Sequence, residues 1–550
     1  FTVNSPLTGL YSRPGWNHPG PIMFWAMAPL SWATGHAPWA TRIGGAVMQA
    51  VALAWLGVAT ARRGIRWLLA AGLVCSCTYL ASDQWLFREP WNLHIPVPFF
   101  IVFLFLTVFV ARGESRQLVG MSIAATIVVS THLGYAPLVI VGFAYAAMWM
   151  VIDARRTGVG PPRFRRTVGW CALVWGVTWA APVLDLVLHW SGNLGKIVSY
   201  FAAGHASVGL GDAVRFTADE FRWVPPWIGG AHRIEFFTGH AVPASPAWLM
   251  VPLVMVVVAT VAVRSSRDRD DARLLGLAVL MVVVGVLAIS GADEPRAYTF
   301  QWRAVLAAFL ATACLSSVVT VVLRRARRAG TARRAMALVT VAAIAGSTIA
   351  MTVAVVRGPS QFLAYREPDL QSVVSRIDRW PRPRGPVRVR AVGSSLPSLS
   401  DGVVNELDRR GVDVRVDPEL GRIFGADRTI ARSADVETWF VTEDGSRIPE
   451  LLALPGARLL AARTPLSPGR ERELADLQAR IGKRLAATAP GRTLDLDSTL
   501  FVSLLTGTSG IPARDLHRLR ALDAAAQRDR RCRCAVVVVP PRRVAAARGT

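Results

Sequence analysis

Lysine is nearly missing. In 550 residues it occurs only at Lys196 and Lys483, so almost all of the 62 basic side chains are arginines, set against 37 acidic ones. Cysteine is sparse too. Cys75, Cys77, Cys171 and Cys314 lie in apolar segments, and Cys532 and Cys534 stand too close together for a disulfide framework or a zinc site. There is no HExxH, CxxC or serine-elbow arrangement, which leaves a zinc protease or a hydrolase triad without support. Phosphate-cradling glycine loops of the GxxxxGK[ST] or GxGxxG kind are absent, and no internal repeat is visible. The chain opens on Phe1 rather than Met, without a basic, apolar, small-residue leader pattern; the expectation is that a leading portion precedes it.

What is present is apolar sequence. Hydrophobic residues make up 52% and charged residues 18% of the chain, and the mean hydropathy of +0.36 is that of a polytopic membrane protein. The formal charge of +25 does not point to nucleic acid, because the arginines mostly sit in short runs between apolar segments and in the last third. There they read as topology signals.

A span needs about twenty apolar residues. Ten candidates follow: 38–60, 66–83, 95–112, 117–131, 135–152, 167–189, 247–263, 274–290, 303–323 and 335–356. Every second connection between them is basic: Arg62 to Arg66, Arg112 to Arg116, Arg155 to Arg166, Arg264 to Arg273, and Arg324 to Arg334. With basic loops inside, one orientation satisfies all five runs. The test case is 117–152, which as one helix would exceed ~50 Å and put the next arginine run on the wrong side. "THLGYAP" (131–137) supplies the break, with Gly134 and Pro137 as terminators. Its first arm is short, which predicts that His132 and Tyr135 sit below the outer surface, in a recess.

By this count the outer segments are 1–36, 84–94, 190–246, 291–302 and everything after 356, with 20–34 a short helix dipping into the outer leaflet. Since position 1 is already outside, one earlier span is expected upstream. The fold class is a polytopic α-helical membrane domain (1–356) with an extracytoplasmic α/β domain (357–550). In that domain 387–393, 412–418, 438–445 and 535–541 read as strands, and 398–411 and 467–488 as helices.

Ionisable groups are scarce mid-span, Asp185 being the main exception, and it lies near an outer end. The outer loops hold His18, His94, His132, His189, His205, His232 and His240. A coupled transporter more often places such groups at the midplane, on two related halves. Four stretches carry alternatives. In "YSRPGWNHPGP" (11–21), Arg13 and His18 are either phosphate contacts or parts of an edge loop anchored by Trp16. In "SDQWLFREPWNLHIP" (82–96), Asp83 and Glu89 are candidate general bases beside Arg88 and His94, or members of surface ion pairs. In "STHLGYAP" (130–137), His132 is a substrate contact or a hydrogen-bonded structural histidine, with Tyr135 beside it. In "GADEPRAYTFQWR" (291–303), Asp293, Glu294 and Arg296 form a site or a solvated turn. The aromatics of 190–246 stack on sugars or settle at the lipid interface.

"RPGWNHPGP" (13–21) ahead of an apolar segment, "PWNLHIPVPFF" (90–100) opening a span, and "VVSTHLGYAPLV" (128–139) at a short hairpin carry a resemblance. Over about the first 350 residues the chain resembles the multispanning GT-C glycosyltransferases, particularly actinobacterial members distantly similar to protein mannosyltransferases and aminoarabinose transferases. The resemblance implies inverting transfer of a sugar from a polyprenyl-phosphate donor to a cell-envelope glycan, lipid or protein acceptor, at the outer face of a bacterial plasma membrane. It implies a first-loop carboxylate that serves as base or positions the acceptor; the matching position would precede Phe1, which leaves Asp83 or Glu89 to orient or deprotonate the acceptor. Arg13, His18, Arg88, His94, His132, Tyr135 and Arg296 would hold the substrates. Some members use a divalent cation and others do not; no metal ligand is assigned here. The implied partners are the lipid-linked donor, the acceptor and membrane lipids, with no nucleic acid. The rival reading is a non-enzymatic transporter or assembly protein for envelope lipid or polysaccharide.

Overall fold

The computed structural model describes residues 7–326 apart from 13–14, 83–85, 87–88, 162, 190–191, 205–206, 230–243 and 293–296. Beyond them it describes 346, 367–392, 399–442, 447–463, scattered positions between 469 and 522, and 534–541. Two compact units are present, a helical one within 6–360 and a smaller one within 361–550.

The helical unit begins with α1 (Ile22–Ala33), α2 (Pro38–Ala61), α3 (Ile65–Ala81), α4 (Pro96–Ala111), α5 (Gln117–Thr131), α6 (Ala136–Thr157) and α7 (Phe164–Leu188). After the shorter α8 (Gly192–Ala202) and α9 (Leu210–Ala218) come α10 (Met250–Ser266), α11 (Arg269–Ser290) and α12 (Trp302–Ala326). Six stretches are long and apolar enough to cross a membrane: Trp39–Ala61, Leu133–Thr157, Phe164–Leu188, Pro246–Ser266, Arg269–Ser290 and Trp302–Arg324. Four apolar helices are shorter, namely α1, α3, α4 and α5. Each expected span from 38 to 323 therefore has its helix, and the segment expected to dip into one leaflet is α1. The expected span 335–356 lies outside the described residues, Gly346 excepted. The chain is a multi-pass helical membrane protein.

Why the short helices suffice is clearest at α4. Its sequence, PVPFFIVFLFLTVFVA, is apolar on every side, and all sixteen residues are buried, as expected of a helix at the centre of a bundle. At 1.5 Å per residue it is about 24 Å long, less than the ~30 Å of hydrocarbon, and its neighbours rather than lipid cover its ends.

The arginine turns meet at one end of the bundle. Arg63, after α2, pairs with Glu114 between α4 and α5. Arg112 Nε donates to Asp270 Oδ1 at 2.9 Å, and Arg66 pairs with Asp271 at the start of α11. Arg273 Nη2 reaches Asp153 near the end of α6 at 2.6 Å, and Arg324 Nη2 reaches Asp268 at 2.8 Å. Five connections that the charge pattern assigns to one side are thus cross-linked to one another by ion pairs. The α3–α4, α5–α6 and α11–α12 connections, and the segments before α1 and after α7, consequently share the opposite end.

The second unit carries a five-stranded sheet ordered β2-β1-β3-β5-β4, from β1 (Val387–Val392), β2 (Val414–Val416), β3 (Glu437–Thr442), β4 (Arg458–Arg463) and β5 (Cys534–Val539). β1 pairs in parallel with β2 and β3, whereas β5 runs antiparallel to both β3 and β4. Alternation buries Val387 and Val389 on β1, Trp439 and Val441 on β3, and Val536 and Val538 on β5. The helices Glu367–Arg379 and Leu399–Arg409 accompany it, which makes an α/β unit. Four strands lie where the pattern put them. The strand β4 is an addition: RLLAAR is poor in β-branched residues and breaks alternation, and its register with β5 shifts between Leu459 and Ala461.

Candidate functional site

The stretch YSRPGWNHPGP is built on a hairpin. Tyr11 and Asn17 form an antiparallel bridge; the Gly9 amide donates to His18 O and the His18 amide to Leu10 O, each at 2.8 Å. The Ser12 amide and hydroxyl both donate to Trp16 O. Past the hairpin, the Gly20 amide donates to Ser130 O at 3.2 Å. A side chain on Gly20 would place its Cβ 2.6 Å from Ser130 Oγ, so only glycine lets this strand lie on the end of α5.

That docking brings two histidines together. α5 ends at His132, whose extended backbone (φ −150°) breaks the helix. A 3-10 turn, Leu133–Tyr135, leads into α6, which has Pro137 in its first turn. The His18 and His132 rings lie 4.9 Å apart and tilted by 33°. The Leu133 amide donates to His18 Nδ1 at 3.3 Å, which makes Nδ1 an acceptor and leaves the proton on Nε2. Both rings are buried, and burial drives both imidazoles toward the neutral form. It holds His18 well below the usual histidine range, with His132 pushing the same way, and it lowers His132 to about 4. His132 Nδ1 and the Tyr135 hydroxyl are buried and find no hydrogen-bond partner among the described residues. Tyr135 meets His132 and Phe100 edge-on at 5.8 and 5.0 Å. Trp16 covers the pair from the hairpin side, 5.5 Å from His18 and 6.1 Å from Tyr200.

A polar chain ties the hairpin to the end of α7. The Asn17 amide donates to Asn193 Oδ1, and Asn193 Nδ2 donates to Asn17 O, both at 2.7 Å. The Asn193 amide in turn donates to Asp185 Oδ2 at 2.7 Å, and His189 Nδ1 lies 3.1 Å from Asp185 Oδ1. Asp185, the isolated acid of the span 167–189, is thus a positioning residue for the hairpin.

Of the residues expected at the site, His18, His132 and Tyr135 come together. His94 is buried in the turn before α4, edge-on to Trp91 at 5.1 Å, and burial lowers its imidazole to about 3. Glu89 is half-buried, and its backbone oxygen accepts from Gln49 Nε2 of α2 at 3.3 Å. Arg13, Asp83, Arg88 and Arg296 lie outside the described residues, as do His205, His232, His240, Asp293 and Glu294.

Sequence reasoning passed over a second buried polar group at this end. Arg303 Nε donates to Glu220 Oε1 at 2.6 Å, its Nη1 donates to Phe216 O at 2.7 Å, and its guanidinium lies 3.8 Å from the centre of the Phe216 ring. Glu220 Oε2 is buried and unpartnered among the described residues. Burial raises the Glu220 carboxyl, with Arg303 opposing. Arg303 was in sight at the end of GADEPRAYTFQWR, but nothing in one dimension links it to an acid 83 residues away. Among the described residues no group of three or more His, Cys, Asp or Glu is arranged to hold a metal ion.

No family model matches the chain, and no curated protein matches it. Among solved structures it is similar to ArnT from Cupriavidus metallidurans bound to undecaprenyl phosphate. The two are 12% identical, with a TM-score of 0.45 over 84% of this chain and 94% of that one. At this identity and score no residue role, substrate or activity carries across.

Proposed function

We propose that the chain is a membrane glycosyltransferase, moving a sugar from a polyprenyl-phosphate donor to a cell-envelope glycan, lipid or protein at the face opposite the arginine turns. The observation that supports this best is the buried His18–His132 pair, set at a helix break on that end. Basic turns stay cytoplasmic, so the pair belongs on the outer side of a bacterial plasma membrane, and the expected span 335–356 would make the unit after residue 360 extracytoplasmic.

The chemistry follows from burial. Both substrates are amphiphiles whose prenyl or lipid tails stay in the bilayer while their polar heads reach a recess at the end of short helices. A dry recess disfavours a charged imidazole, so these histidines serve as neutral N–H donors, not as cations. His18 is fixed in the Nε2–H form, and such a preset donor is worth more toward a developing anionic oxygen here than in water. In the reaction the acceptor hydroxyl oxygen attacks the anomeric carbon from the face away from phosphate, and the carbon–oxygen bond to phosphate breaks, its electron pair leaving with the phosphate. The hydroxyl proton passes to a carboxylate, for which Asp83 and Glu89 are the candidates in this chain. His18 and His132 donate to the departing phosphate oxygens.

The test is purified chain in vesicles with radiolabelled polyprenyl-phosphate sugars and an envelope acceptor fraction. Transfer of label by the wild type, and its loss in His132→Ala, is the expected result. Absence of transfer from every donor, together with passage of intact donor lipid between leaflets, would instead favour the transporter reading.

A further inference from the structure

At the arginine end the α6–α7 turn carries the highest net charge of the connections between described helices. Residues 153–166, DARRTGVGPPRFRR, join α6 to α7 and hold five arginines, at 155, 156, 163, 165 and 166, against one acid. That acid, Asp153, is already engaged by Arg273 from α11. All five arginines are exposed, and none forms an ion pair among the described residues. In the other turns the balance is different. Arg63, Arg66, Arg112 and Arg324 are each matched by a carboxylate; in the α10–α11 turn Arg264, Arg267 and Arg269 are exposed without an ion pair among the described residues, but Asp268, Asp270 and Asp271 stand among them, so that residues 264–273 hold four arginines against three acids.

The apolar neighbours place this turn at the bilayer edge. Val159 is 70% exposed, Phe164 43% and Trp170 49%, and the first turns of α7 continue outward through Val168 and Leu173, which are also exposed. Side chains of that kind lie in the acyl region just below the headgroups, and tryptophan marks the interface itself. Guanidinium groups held immediately beside them are level with lipid phosphates, which their planar forks bind through two parallel hydrogen bonds.

We propose that the α6–α7 turn is a docking surface for anionic phospholipid headgroups of the cytoplasmic leaflet. Its unmatched charge selects phosphatidylglycerol-type lipids over zwitterionic ones, and Val159, Phe164 and Trp170 hold the turn against their acyl chains. The arginines matched by carboxylates take no part. This surface lies at the end away from the histidine pair and does not depend on the glycosyltransferase reading.

The experiment uses the full chain in vesicles of equimolar phosphatidylcholine and phosphatidylglycerol, followed by native mass spectrometry of the lipids it retains. Wild type is expected to retain phosphatidylglycerol at least about tenfold over phosphatidylcholine, since each basic residue near a charged surface contributes about a fivefold preference. Glutamine at all five positions abolishes that preference, and lysine at all five leaves it reduced but present. Glutamine at Arg264, Arg267 and Arg269, exposed arginines whose charge is offset by Asp268, Asp270 and Asp271 in the same turn, leaves it intact, which controls for a general loss of charge. Equal retention of both lipids by wild type would overturn the proposal. So would an undiminished preference in the five-glutamine variant, or displacement of the lipid by millimolar inorganic phosphate, which would mark a site for free phosphate instead. A shared thermal transition for wild type and variants shows that the fold is kept.

Discussion

His18 accepts a hydrogen bond from the Leu133 amide while its ring lies 4.9 Å from that of His132. One contact thereby fixes which nitrogen of His18 carries a proton, and it does so at the point where α5 gives way to α6. The two ends of an asparagine and a glutamine side chain separate the roles of the two ring nitrogens. His18→Asn keeps an acceptor near the Leu133 amide but loses the Nε2–H donor, whereas His18→Gln keeps a donor near Nε2. Transfer is expected to fall by about 10²-fold in the asparagine variant and by clearly less in the glutamine variant. Equal losses in initial-rate assays would mean that the outer nitrogen donates to nothing.

The same burial sets a pH dependence. An exposed histidine titrates near ~6.5, whereas His132 in the folded chain is lowered to about 4 and His18 is lowered as well. Between those values an unfolded or opened chain binds protons that the folded chain does not, so stability falls as pH drops from about 6.5 toward 4 and is flat above. Thermal unfolding across that window should show a steeper acid loss for wild type than for the His18→Asn, His132→Asn double variant. Parallel curves would show that neither ring is kept neutral by burial.

Asp185 holds the hairpin through Asn193, and its removal should be felt there first. Asp185→Ala leaves the buried Asn193 amide without its acceptor, a loss of about 1–3 kcal/mol, while Asp185→Asn keeps an oxygen in place and costs less. The expected sign is faster proteolysis within residues 7–21 in the alanine variant, with the arginine end unaffected. Uniform loosening of the whole chain would contradict this local role.

At the opposite end, Asp271 is fully buried and paired with Arg66, with Ser316 Oγ donating to it at 3.0 Å. Arg66→Ala strands that carboxylate and should destabilise by about 3 kcal/mol or more. Arg63→Ala, whose partner Glu114 is 36% exposed, should cost about 1 kcal/mol or less in the ion pair itself. Denaturant or thermal titration in detergent ranks the two, and a reversed order would show that burial does not govern this network.

Much of the architecture was legible because hydropathy and arginine spacing are one-dimensional signals. The break at THLGYAP followed from length and a glycine–proline pair, and the short α5 it implied is there. The contact between His18 and His132 was not legible, since the separation of 114 residues is closed only by a hairpin whose glycine fits against Ser130. The Arg303–Glu220 pair was hidden for the same reason. Strand β4 escaped because it owes its conformation to pairing with β5, not to its own residues.

Sidedness tests the account most directly. Trp223, 85% exposed, lies in the segment between α9 and α10, and Gly160, exposed and with open space around an added Cβ, lies in the α6–α7 turn. Single cysteines at each, in a background lacking the native cysteines, are treated with an impermeant maleimide on intact cells. The account predicts labelling of Trp223→Cys and protection of Gly160→Cys until the membrane is permeabilised. Labelling of Gly160→Cys from outside, or of both alike, would contradict it.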